Sequence, residues 1–402
     1  MNKSAILSVN SGSSTIKFAL YPLHDSQVDT ASMSGIVEGL EPGGQPRIRF
    51  DTDGVRQQFM LTDLEPDEDG DAFAAVLKAL RELIDQHSAG IRISGVAHRI
   101  VHGGARYAQS VLIDDDAMTY LRTLNTLAPL HQPHNLDGVL AFQKAYPEVP
   151  QIACFDTGFH ADMPQTERTI ALPQRLRDEG ICRYGFHGLS YRYVAGRLRQ
   201  NSEKADQRVL MAHLGNGASV CAMKEGRSIA TTMGFSALDG LMMGTRCGAL
   251  DPGVILHLLQ AGWNAKQLEK TLYKESGLLG VSGISADMRT LRSSGQAQAQ
   301  AAIDLFTYRV IREAGALTAC LNGVDVFAFT GGIGEHDAIL RQQVGAGLEY
   351  LGVRIDLDKN LAARGDEICA IHASDSRVEI WVIPTDEGRI AAMDAFALLF
   401  PS

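Results

Sequence analysis

Two stretches of this chain, about 200 residues apart, repeat one pattern, and that repeat limits what the chain can fold into. In each stretch an apolar strand runs into a turn of asparagine, glycine and small residues, and a second strand leaves the turn. The first copy has strands over 5–9 and 15–20, and the second has strands over 208–214 and 220–224. The repeat indicates a duplicated fold. The length of 402 residues agrees, because two domains are the default at that size.

Both turns have the composition of an anion site. Small residues let the backbone approach an anion closely, and the amides and hydroxyls of such a turn can point at it. Lys17, just after the first turn, adds a positive charge. The alternative is an ordinary hairpin turn, since Asn, Ser and Gly also favour turns for their own reasons. The second copy favours the anion site, with each half presenting one phosphate-facing hairpin to a shared cleft.

Charge and composition exclude several classes of partner. The formal net charge of −10 disfavours nucleic acid and anionic membranes, and it leaves any anionic substrate to local cations. No apolar run is long enough to span a membrane and no signal peptide is present, so we expect a cytoplasmic protein. The six cysteines are scattered without a CxxC pair, which favours reduced thiols over disulfides or a zinc site.

Periodicity predicts an α/β protein. Alternating stretches predict an antiparallel extension of the first sheet, and apolar residues at helical spacing predict an amphipathic helix over 71–87. The extension covers 34–37, 46–50 and 57–61. Other predicted strands lie at 93–97, 151–155, 325–330 and 379–383, and other predicted helices at 114–127, 136–146, 189–200, 252–262, 264–276, 297–321 and 390–400.

Charged residues follow two predicted strands at their carboxyl ends. The strand at 93–97 runs into HRIVHGG at 98–104, and the strand at 151–155 delivers Asp156. Because α/β proteins place ligand groups at the carboxyl ends of parallel strands, both segments are candidate site residues. A solvated loop with cations by chance is the alternative for the first segment.

Three further histidines stand in segments that display them. The two prolines of LAPLHQPHN, at 127–135, predict a rigid, non-helical segment that presents His131 and His134. A metal pair is the alternative, but Pro133 argues against the helical geometry that such pairs use. His187 follows Gly185-Phe186 and precedes Gly188, which predicts a tight loop that displays its ring.

Two glycine-rich segments complete the set. Residues 232–252 form a long loop without periodicity that carries a single cation, Arg246, and apolar loops of this kind line cavities. The segment at 331–336, GGIGEH, separates a strand from a helix, which suits a nucleotide at the helix N-terminus. It matches neither the Walker A loop nor GxGxxG.

Taken together, nine motifs in one order resemble the acetokinase family of acetate kinases, within the actin, hexokinase and Hsp70-like ATPase superfamily. They are VNSGSSTIKF, HRIVHGG, LAPLHQPHN, FDTGFH, RYGFHG, HLGNGAS, GLMMGTRCG, FTGGIGE and IPTDE, from residue 8 to residue 387. The resemblance implies two RNase H-like α/β domains with a cleft between them, and a homodimer. We place the first domain at 1–150, completed by a helix at 386–402, and the second at 151–385.

The activity that the resemblance implies is a reversible, Mg²⁺-dependent transfer of the γ-phosphate of ATP to acetate, giving acetyl phosphate and ADP directly. Arg99 and Arg246 would hold the substrate carboxylate and the transferring phosphoryl group, and His187 would contact the transition-state oxygens. Asp156 would orient or polarise the reacting groups. A carboxylate is already ionised at pH 7, so no strong general base is needed and Asp156 fits an orienting role.

The same resemblance assigns the binding residues. The metal, with Mn²⁺ as a possible substitute for Mg²⁺, would be met by Asn10 and Glu387. The acyl group would lie in a methyl-sized pocket formed by Val101, Leu130, Phe186 and Ala237, with His131 as a polar neighbour. ATP would be bound by Lys17, His213, Gly215, Asn216, Gly217, Asp287, Met288, Arg289, Gly331, Gly332, Ile333, Gly334 and Glu335.

Four positions depart from the family pattern as this sequence stands. Ala237 replaces a usual proline, which could widen the pocket and favour propionate. Tyr191 replaces a histidine and removes a possible cation near the phosphates, Gly388 replaces a second glutamate, and His336 replaces an asparagine. A propionate or other short-chain carboxylate kinase is therefore one alternative. An Hsp70-like ATPase switch is another, although a switch needs no carboxylate pocket.

Overall fold

The computed structural model describes residues 4–12, 14–25, 27–40, 44–52, 54–61, 72–88, 90–129 and 131–401. The chain divides into two compact units. The first unit contains the residues up to Gly158 together with those from Asp386 onward, and the second contains Phe159–Thr385. The first unit is therefore discontinuous in sequence, because its last segment follows the whole of the second unit.

A nine-stranded sheet forms the centre of the first unit. Its strands are β1 Ser4–Ser11, β2 Thr15–His24, β3 Gln27–Val28, β4 Met33–Glu38, β5 Arg47–Thr52, β6 Val55–Met60, β7 Arg92–Ile100, β8 Val111–Leu112 and β9 Gln151–Phe155. The order is β6-β5-β4-β2-β1-β7-β9-β8, with β3 beside β2. β1 pairs antiparallel with β2 and parallel with β7, so the predicted hairpin and its antiparallel extension are confirmed.

Two of the boundaries that differ from the predicted ones in this unit bear on the site. The strand predicted to end at residue 97 continues to Ile100, because His98, Arg99 and Ile100 pair with β9. β9 itself pairs in the first sheet, whereas the predicted domain boundary put this strand in the second domain.

Helices cover the sheet of the first unit, and they are Ala72–His87, Asp115–Thr123, Gln132–Ala145 and the C-terminal helix Glu387–Leu399. A 3₁₀ turn, Leu124–Thr126, extends the second of them. The prediction of a non-helical segment through residue 135 is wrong, since a helix begins at Gln132. Pro133 stands in its first turn, where a missing N–H leaves no helical hydrogen bond unmade.

The sheet of the second unit has six strands. They are β10 Val209–Leu214, β11 Ala218–Lys224, β12 Arg227–Thr231, β13 Val326–Thr330, β14 Cys369–Ala370 and β15 Glu379–Val382, in the order β12-β11-β10-β13-β15-β14. β10 pairs antiparallel with β11 and parallel with β13. The central order β12-β11-β10-β13-β15 repeats β4-β2-β1-β7-β9 of the first sheet, which supports the duplicated fold.

Helices of the second unit are Gln165–Arg168, Gln174–Asp178, Gly188–Asn201, Pro252–Gln260, Ala265–Lys274, Gly277–Ser282, Met288–Ser294, Ala297–Leu321, Gly331–His336, Ala338–Gly347 and Leu357–Ala362. Short 3₁₀ turns occur at Gly158–His160 and Glu349–Leu351. As predicted, residues 232–251 form a loop, and Asn322 in the left-handed conformation ends the long helix. All six cysteines are free thiols. No helix among the described residues is long and apolar enough to cross a membrane.

Candidate active site

The first hairpin is closed tightly at its turn. Asn10 pairs with Lys17 across β1 and β2, and the amide of Gly12 donates to the carbonyl of Thr15 at 2.8 Å. The Lys17 side chain is exposed and Asn10 is half-buried at the strand end. Ser13, in the turn, lies outside the described residues. The hairpin geometry is thus in place, and its phosphate ligand stays a prediction.

Asn135 joins this hairpin to the end of β7. Its Nδ2 donates to the carbonyl of Ser11 at 2.7 Å, and its Oδ1 accepts from the amide of Val101 at 3.0 Å. Sequence reasoning gave Asn135 no role of its own, although the motif contained it. Because Asn135 is buried and satisfied on both sides, it fixes two predicted site segments of the first unit against each other.

Arg99 is the centre of a charged cluster in the first unit. Its Nε donates to Oδ1 of Asp156 at 3.0 Å and its Nη2 to Oδ2 at 2.5 Å, while Oε2 of Glu387 lies 3.4 Å from the Nε. The structure therefore brings together three residues that the sequence predicted separately. β7 and β9 make this possible because they are parallel neighbours, so both carboxyl ends meet at one sheet edge.

The electrostatics of this cluster keep Arg99 charged and Asp156 fully engaged. Burial alone would lower the pKa of Arg99, but the charges of Asp156 and Glu387 and the hydrogen bonds to Asp156 raise it above its ordinary value. The Asp156 side chain is only 1% exposed, against 25% for Arg99. With both carboxylate oxygens bound to one guanidinium, Asp156 is arranged to hold Arg99 in place and not to accept a proton.

The acyl-pocket residues are divided between the two units. Val101 is buried at the end of β7 in the first unit, whereas Phe186 is buried and Ala237 half-buried in the second. His131 is half-buried at the residue before the helix Gln132–Ala145. Leu130 lies outside the described residues. The pocket therefore stays a prediction.

His187 is held in a strained turn, as the flanking glycines predicted. Its backbone is left-handed, with φ of +59°, immediately before the helix Gly188–Asn201. Gly185 also has a positive φ of +75°, and a Cβ there would lie 2.6 Å from the His160 ring. A left-handed non-glycine residue occurs where surrounding structure requires it, often at a functional site.

Arg246 and His187 converge on the second hairpin. Nη1 of Arg246 donates to the carbonyl of Ala237 at 2.7 Å. A Cβ added at Gly217 would lie 2.8 Å from Nη2 of Arg246 and 3.2 Å from Nε2 of His187. Glycine at position 217 thus leaves the space in which two donors and the hairpin backbone could meet one anion.

A cavity of about 930 Å³ lies beside the second hairpin, within the range of ligand pockets. Seven predicted nucleotide residues line it, namely Gly215, Asn216, Asp287, Met288, Arg289, Gly332 and Ile333. The remaining predicted nucleotide residues do not line this cavity, and they are Lys17, His213, Gly217, Gly331, Gly334 and Glu335. Six lining residues were not predicted as ligands, namely Ala286, Arg292, His336, Asp337, Ala338 and Ile339. His336 was noted only as a departure from the family pattern.

Local hydrogen bonds shape two walls of this cavity. Asp287 precedes the helix Met288–Ser294 and caps the amide of Arg289, and the hydrogen bond from the Arg289 side chain lowers the pKa of Asp287 to about 2. Gly331, with φ of +75°, donates its amide to Oε1 of Glu335 at 2.8 Å. The same oxygen accepts from the amide of Thr385 at 3.0 Å. Glu335 therefore organises the glycine-rich turn from behind.

No group of three or more His, Cys, Asp or Glu side chains that could hold a metal ion occurs in the described part of the chain. A metal bound by this protein would therefore draw most of its ligands from elsewhere, as Mg²⁺ does when substrate phosphates and waters complete its shell.

These features define the class of protein. Two RNase H-like units of the same strand order, each with a turn of phosphate-binding composition, have the fold of the actin-like ATPases, which confirms the predicted α/β fold class.

Comparison with known proteins narrows this class to a family. A model of the acetokinase family matches residues 5–393. The chain is 47% identical over 399 residues to an acetate kinase from Rhodopseudomonas palustris, covering 98% of each sequence. A propionate kinase from Francisella tularensis is similar in structure, with a TM-score of 0.88 and 34% identity over 97% of this chain and 98% of that one. An acetate kinase from Porphyromonas gingivalis is also similar in structure, with a TM-score of 0.86 and 34% identity over 98% of this chain and 100% of that one. The chain belongs to the acetokinase family.

Proposed function

We propose that this enzyme is a kinase that transfers the γ-phosphoryl group of ATP to acetate, reversibly, giving acetyl phosphate and ADP. The observation that carries the proposal is the convergence of Arg246 and His187 on Gly217 of the second hairpin. Two fixed donors at a glycine turn suit a phosphoryl group whose negative charge is shared among its oxygens. The acetate kinase from Rhodopseudomonas palustris supports acetate as the acceptor.

The protein's task in this reaction is mostly electrostatic. Attack by a carboxylate on a phosphoryl group brings two anions together, so the protein has to cancel charge on both. Arg99 is charged and held by Asp156, which fits it to orient the acceptor carboxylate. Arg246 and His187 donate toward the transferring group in this proposal. Direct in-line transfer needs no proton acceptor, and the full engagement of Asp156 agrees with that.

Mg²⁺ is the cation that we propose for the reaction, with Asn10 and Glu387 as its protein ligands. Both offer hard oxygen atoms, and Mg²⁺ prefers one or two carboxylates plus phosphates and water. The Glu387 side chain is 22% exposed, and Oε2 of its carboxylate lies 3.4 Å from Nε of Arg99. The second oxygen, Oε1, is the atom that we propose for the cation. When bound, Mg²⁺ would cancel negative charge on the phosphate oxygens.

Propionate is the second candidate acceptor, and Ala237 is the observation that favours it. The carbonyl oxygen of Ala237 accepts the hydrogen bond from Arg246. Only the methyl side chain of Ala237 is then left to contact a neighbouring acyl group. One additional methylene changes specificity by only ~1–3 kcal/mol. We therefore expect propionate to be used more slowly than acetate by less than about 200-fold.

We also propose that the protein is a homodimer. The helix Pro252–Gln260 has the sequence PGVILHLLQ and buries none of its residues within the chain. Val254, Leu256 and Leu259 are all exposed on it, and Leu256 is 60% exposed. An exposed apolar cluster of this kind is typical of protein interfaces, and a second copy of the chain is the occupant that we propose. The cytoplasmic location stays a prediction from the sequence.

Trapping of acyl phosphate with hydroxylamine tests the proposed activity. The protein is given Mg-ATP with acetate, propionate, butyrate or no acid, beside the variants Arg246→Ala and Arg199→Ala. We expect acyl hydroxamate with acetate, about 10²–10³-fold less with Arg246→Ala, and no loss with Arg199→Ala, whose side chain forms an exposed ion pair with Asp206. ADP release that ignores all three acids would contradict the proposal and favour an ATPase switch.

A further inference from the structure

A buried hydroxyl pair lies directly behind His187. The hydroxyl of Tyr191 is 2.5 Å from Oγ of Ser219, and that Oγ is 2.8 Å from Nδ1 of His187. Tyr191 and Ser219 are both fully buried. Tyr191 stands one helical turn after His187, on the face of the helix Gly188–Asn201 that packs into the core with Val194 and Leu198. Tyr191 therefore stands behind the His187 ring, in the core.

The protons of this pair have a preferred direction. A phenol is a stronger hydrogen-bond donor and a weaker acceptor than an aliphatic hydroxyl, so the phenol proton of Tyr191 is directed at Oγ of Ser219. A serine hydroxyl has one proton. Because Oγ of Ser219 accepts the proton of Tyr191, its own proton is free to point at Nδ1 of His187. Nδ1 is then an acceptor, and a neutral imidazole carries its single proton on Nε2.

The ring is held in the orientation that makes this proton useful. His213 stacks on His187 with ring centroids 4.2 Å apart and an angle of 23° between the planes. Nδ1 of His213 is in turn 2.8 Å from Oγ of Ser190, which is 2.9 Å from Oγ1 of Thr385. With one face stacked and Nδ1 bound, Nε2 is the ring atom of His187 that faces Gly217 and Arg246.

We propose that Tyr191 is a positioning residue that acts through Ser219 to hold His187 as the neutral Nε2–H tautomer. In that form His187 presents a hydrogen-bond donor at the second hairpin without adding a positive charge beside Arg246. The inference rests on the proposed phosphoryl transfer for its kinetic consequence, while the tautomer itself is a property of the free protein. Groups that orient a metal-ligating histidine change activity 10–100-fold when removed, and we expect an effect of similar size at His187.

Nitrogen-15 NMR of histidine-labelled full-length protein tests the tautomer without any substrate. In the wild type we expect the His187 signals of an Nε2–H ring. In Tyr191→Phe, Ser219 no longer has to accept from the phenol and can accept from Nδ1–H, so we expect both tautomers. A wild-type His187 that is protonated on Nδ1 would overturn the proposal, whatever the enzyme's activity is.

Kinetics of the same variants test the consequence. We expect Tyr191→Phe to lower kcat about 10-fold while KM for acetate and for ATP stays within about 2-fold, because the hydroxyl touches neither substrate. Ser219→Ala interrupts the same path, so the double variant should lose no more than the larger single loss. If Tyr191→Phe does not fold, the proposal is tested by the His187 tautomer in the wild type and in Ser219→Ala. The wild type should then show only the Nε2–H form, and Ser219→Ala should show both forms.

Tyr184→Phe is the matched control, since it also removes a phenol hydroxyl in the second unit, one that donates to the carbonyl of Gly180 at 2.8 Å. It should leave both kcat and the His187 tautomer unchanged. Equal losses in Tyr184→Phe and Tyr191→Phe, or a kcat loss in Tyr191→Phe with the wild-type tautomer retained, would contradict a positioning role. A wild-type chain that forms no acyl phosphate overturns the proposed function and leaves the NMR test standing.

Discussion

The side chain of Tyr21 fills the space beside Gly388, so a residue larger than glycine at position 388 would collide with it. A Cβ at Gly388 would lie 2.5 Å from the Tyr21 hydroxyl and 3.3 Å from Oγ of Ser8. That hydroxyl donates to Oδ1 of Asp386 at 2.6 Å, and Asp386 caps the C-terminal helix through the amide of Arg389. The departure from two glutamates to Glu387-Gly388 is thus matched by a tyrosine that fills the space.

The contact between position 388 and Tyr21 can be tested through the stability of the chain. We expect Gly388→Glu to lower the free energy of unfolding by about 1–3 kcal/mol, because the new side chain forces Tyr21 from its place. Chemical denaturation of the full chain measures it. Combined with Tyr21→Ala, the loss should be less than the sum of the two single losses.

Gly196→Glu is the control for that experiment, because a Cβ at Gly196 meets nothing within 4 Å. It should be neutral or stabilise the helix Gly188–Asn201 by up to about 1 kcal/mol. Additive losses in the Tyr21 double variant would show that the two side chains do not compete for space.

At the scale of single elements, the helix Pro252–Gln260 carries the prediction about assembly. We expect Leu256→Asp to convert a dimer into a monomer, because a carboxylate at the centre of an apolar interface would be buried without a partner. Sedimentation velocity measures the change. Leu361→Asp is the control, since Leu361 is 64% exposed on the helix Leu357–Ala362 and outside the proposed interface.

If both variants sediment like the wild type, the helix Pro252–Gln260 is not the dimer contact. If the wild type is already a monomer, the homodimer proposal fails altogether.

Elements with a local signal were predictable, and those fixed by distant partners were not. The hairpin at Asn10, the cap of the long helix at Asn322 and the loop that displays His187 follow from residues next to one another. The beginning of a helix at Gln132 was missed because proline both breaks helices and suits their first turn.

Buried polar contacts between distant segments could not be predicted from the sequence. Arg341 is fully buried and donates to the carbonyls of Gly334, Glu335, Asn360 and Ala363 as well as to the Asn360 side chain. Its partners are fixed only by the packing of three helices, and nothing near position 341 in the sequence indicates them. The contact of Tyr191 with Ser219 is of the same kind, since the two are 28 residues apart.

For the whole molecule, buried neutral histidines set the response to acid. Burial lowers the pKa of His98 in the first unit and of His160 in the second to about 4, from an ordinary value of 6.5, against the effect of their hydrogen bonds to Gln151 and to the Phe186 carbonyl. Between those values the unfolded chain binds more protons than the folded one. Stability is therefore complete above about pH 6.5 and is lost as the pH falls toward 4.

We expect each ring to contribute about 3 kcal/mol of that loss. Both tryptophans, Trp263 and Trp381, belong to the second unit, so their fluorescence during urea unfolding at pH 7 and pH 5 follows the unit that contains His160. His160→Gln, which cannot gain the proton, should reduce the pH dependence. His257→Gln, at an exposed side chain of the second unit, should leave it unchanged. If the difference in unfolding free energy between pH 7 and pH 5 is the same in His160→Gln as in the wild type, His160 is not a source of the acid sensitivity.

The discontinuity of the first unit has a consequence for biosynthesis. A growing chain emerges from the ribosome amino end first, so β1 to β9 are made long before the C-terminal helix that completes their unit. Until that helix arrives, Arg99 has Asp156 but lacks Glu387, and Tyr21 has no Asp386 to bind. The second unit, by contrast, is contiguous and can fold while the last segment is still being translated. The helix Glu387–Leu399 therefore completes the first unit only after the whole second unit has been made, and a chain that lacks this helix has no complete Arg99 cluster.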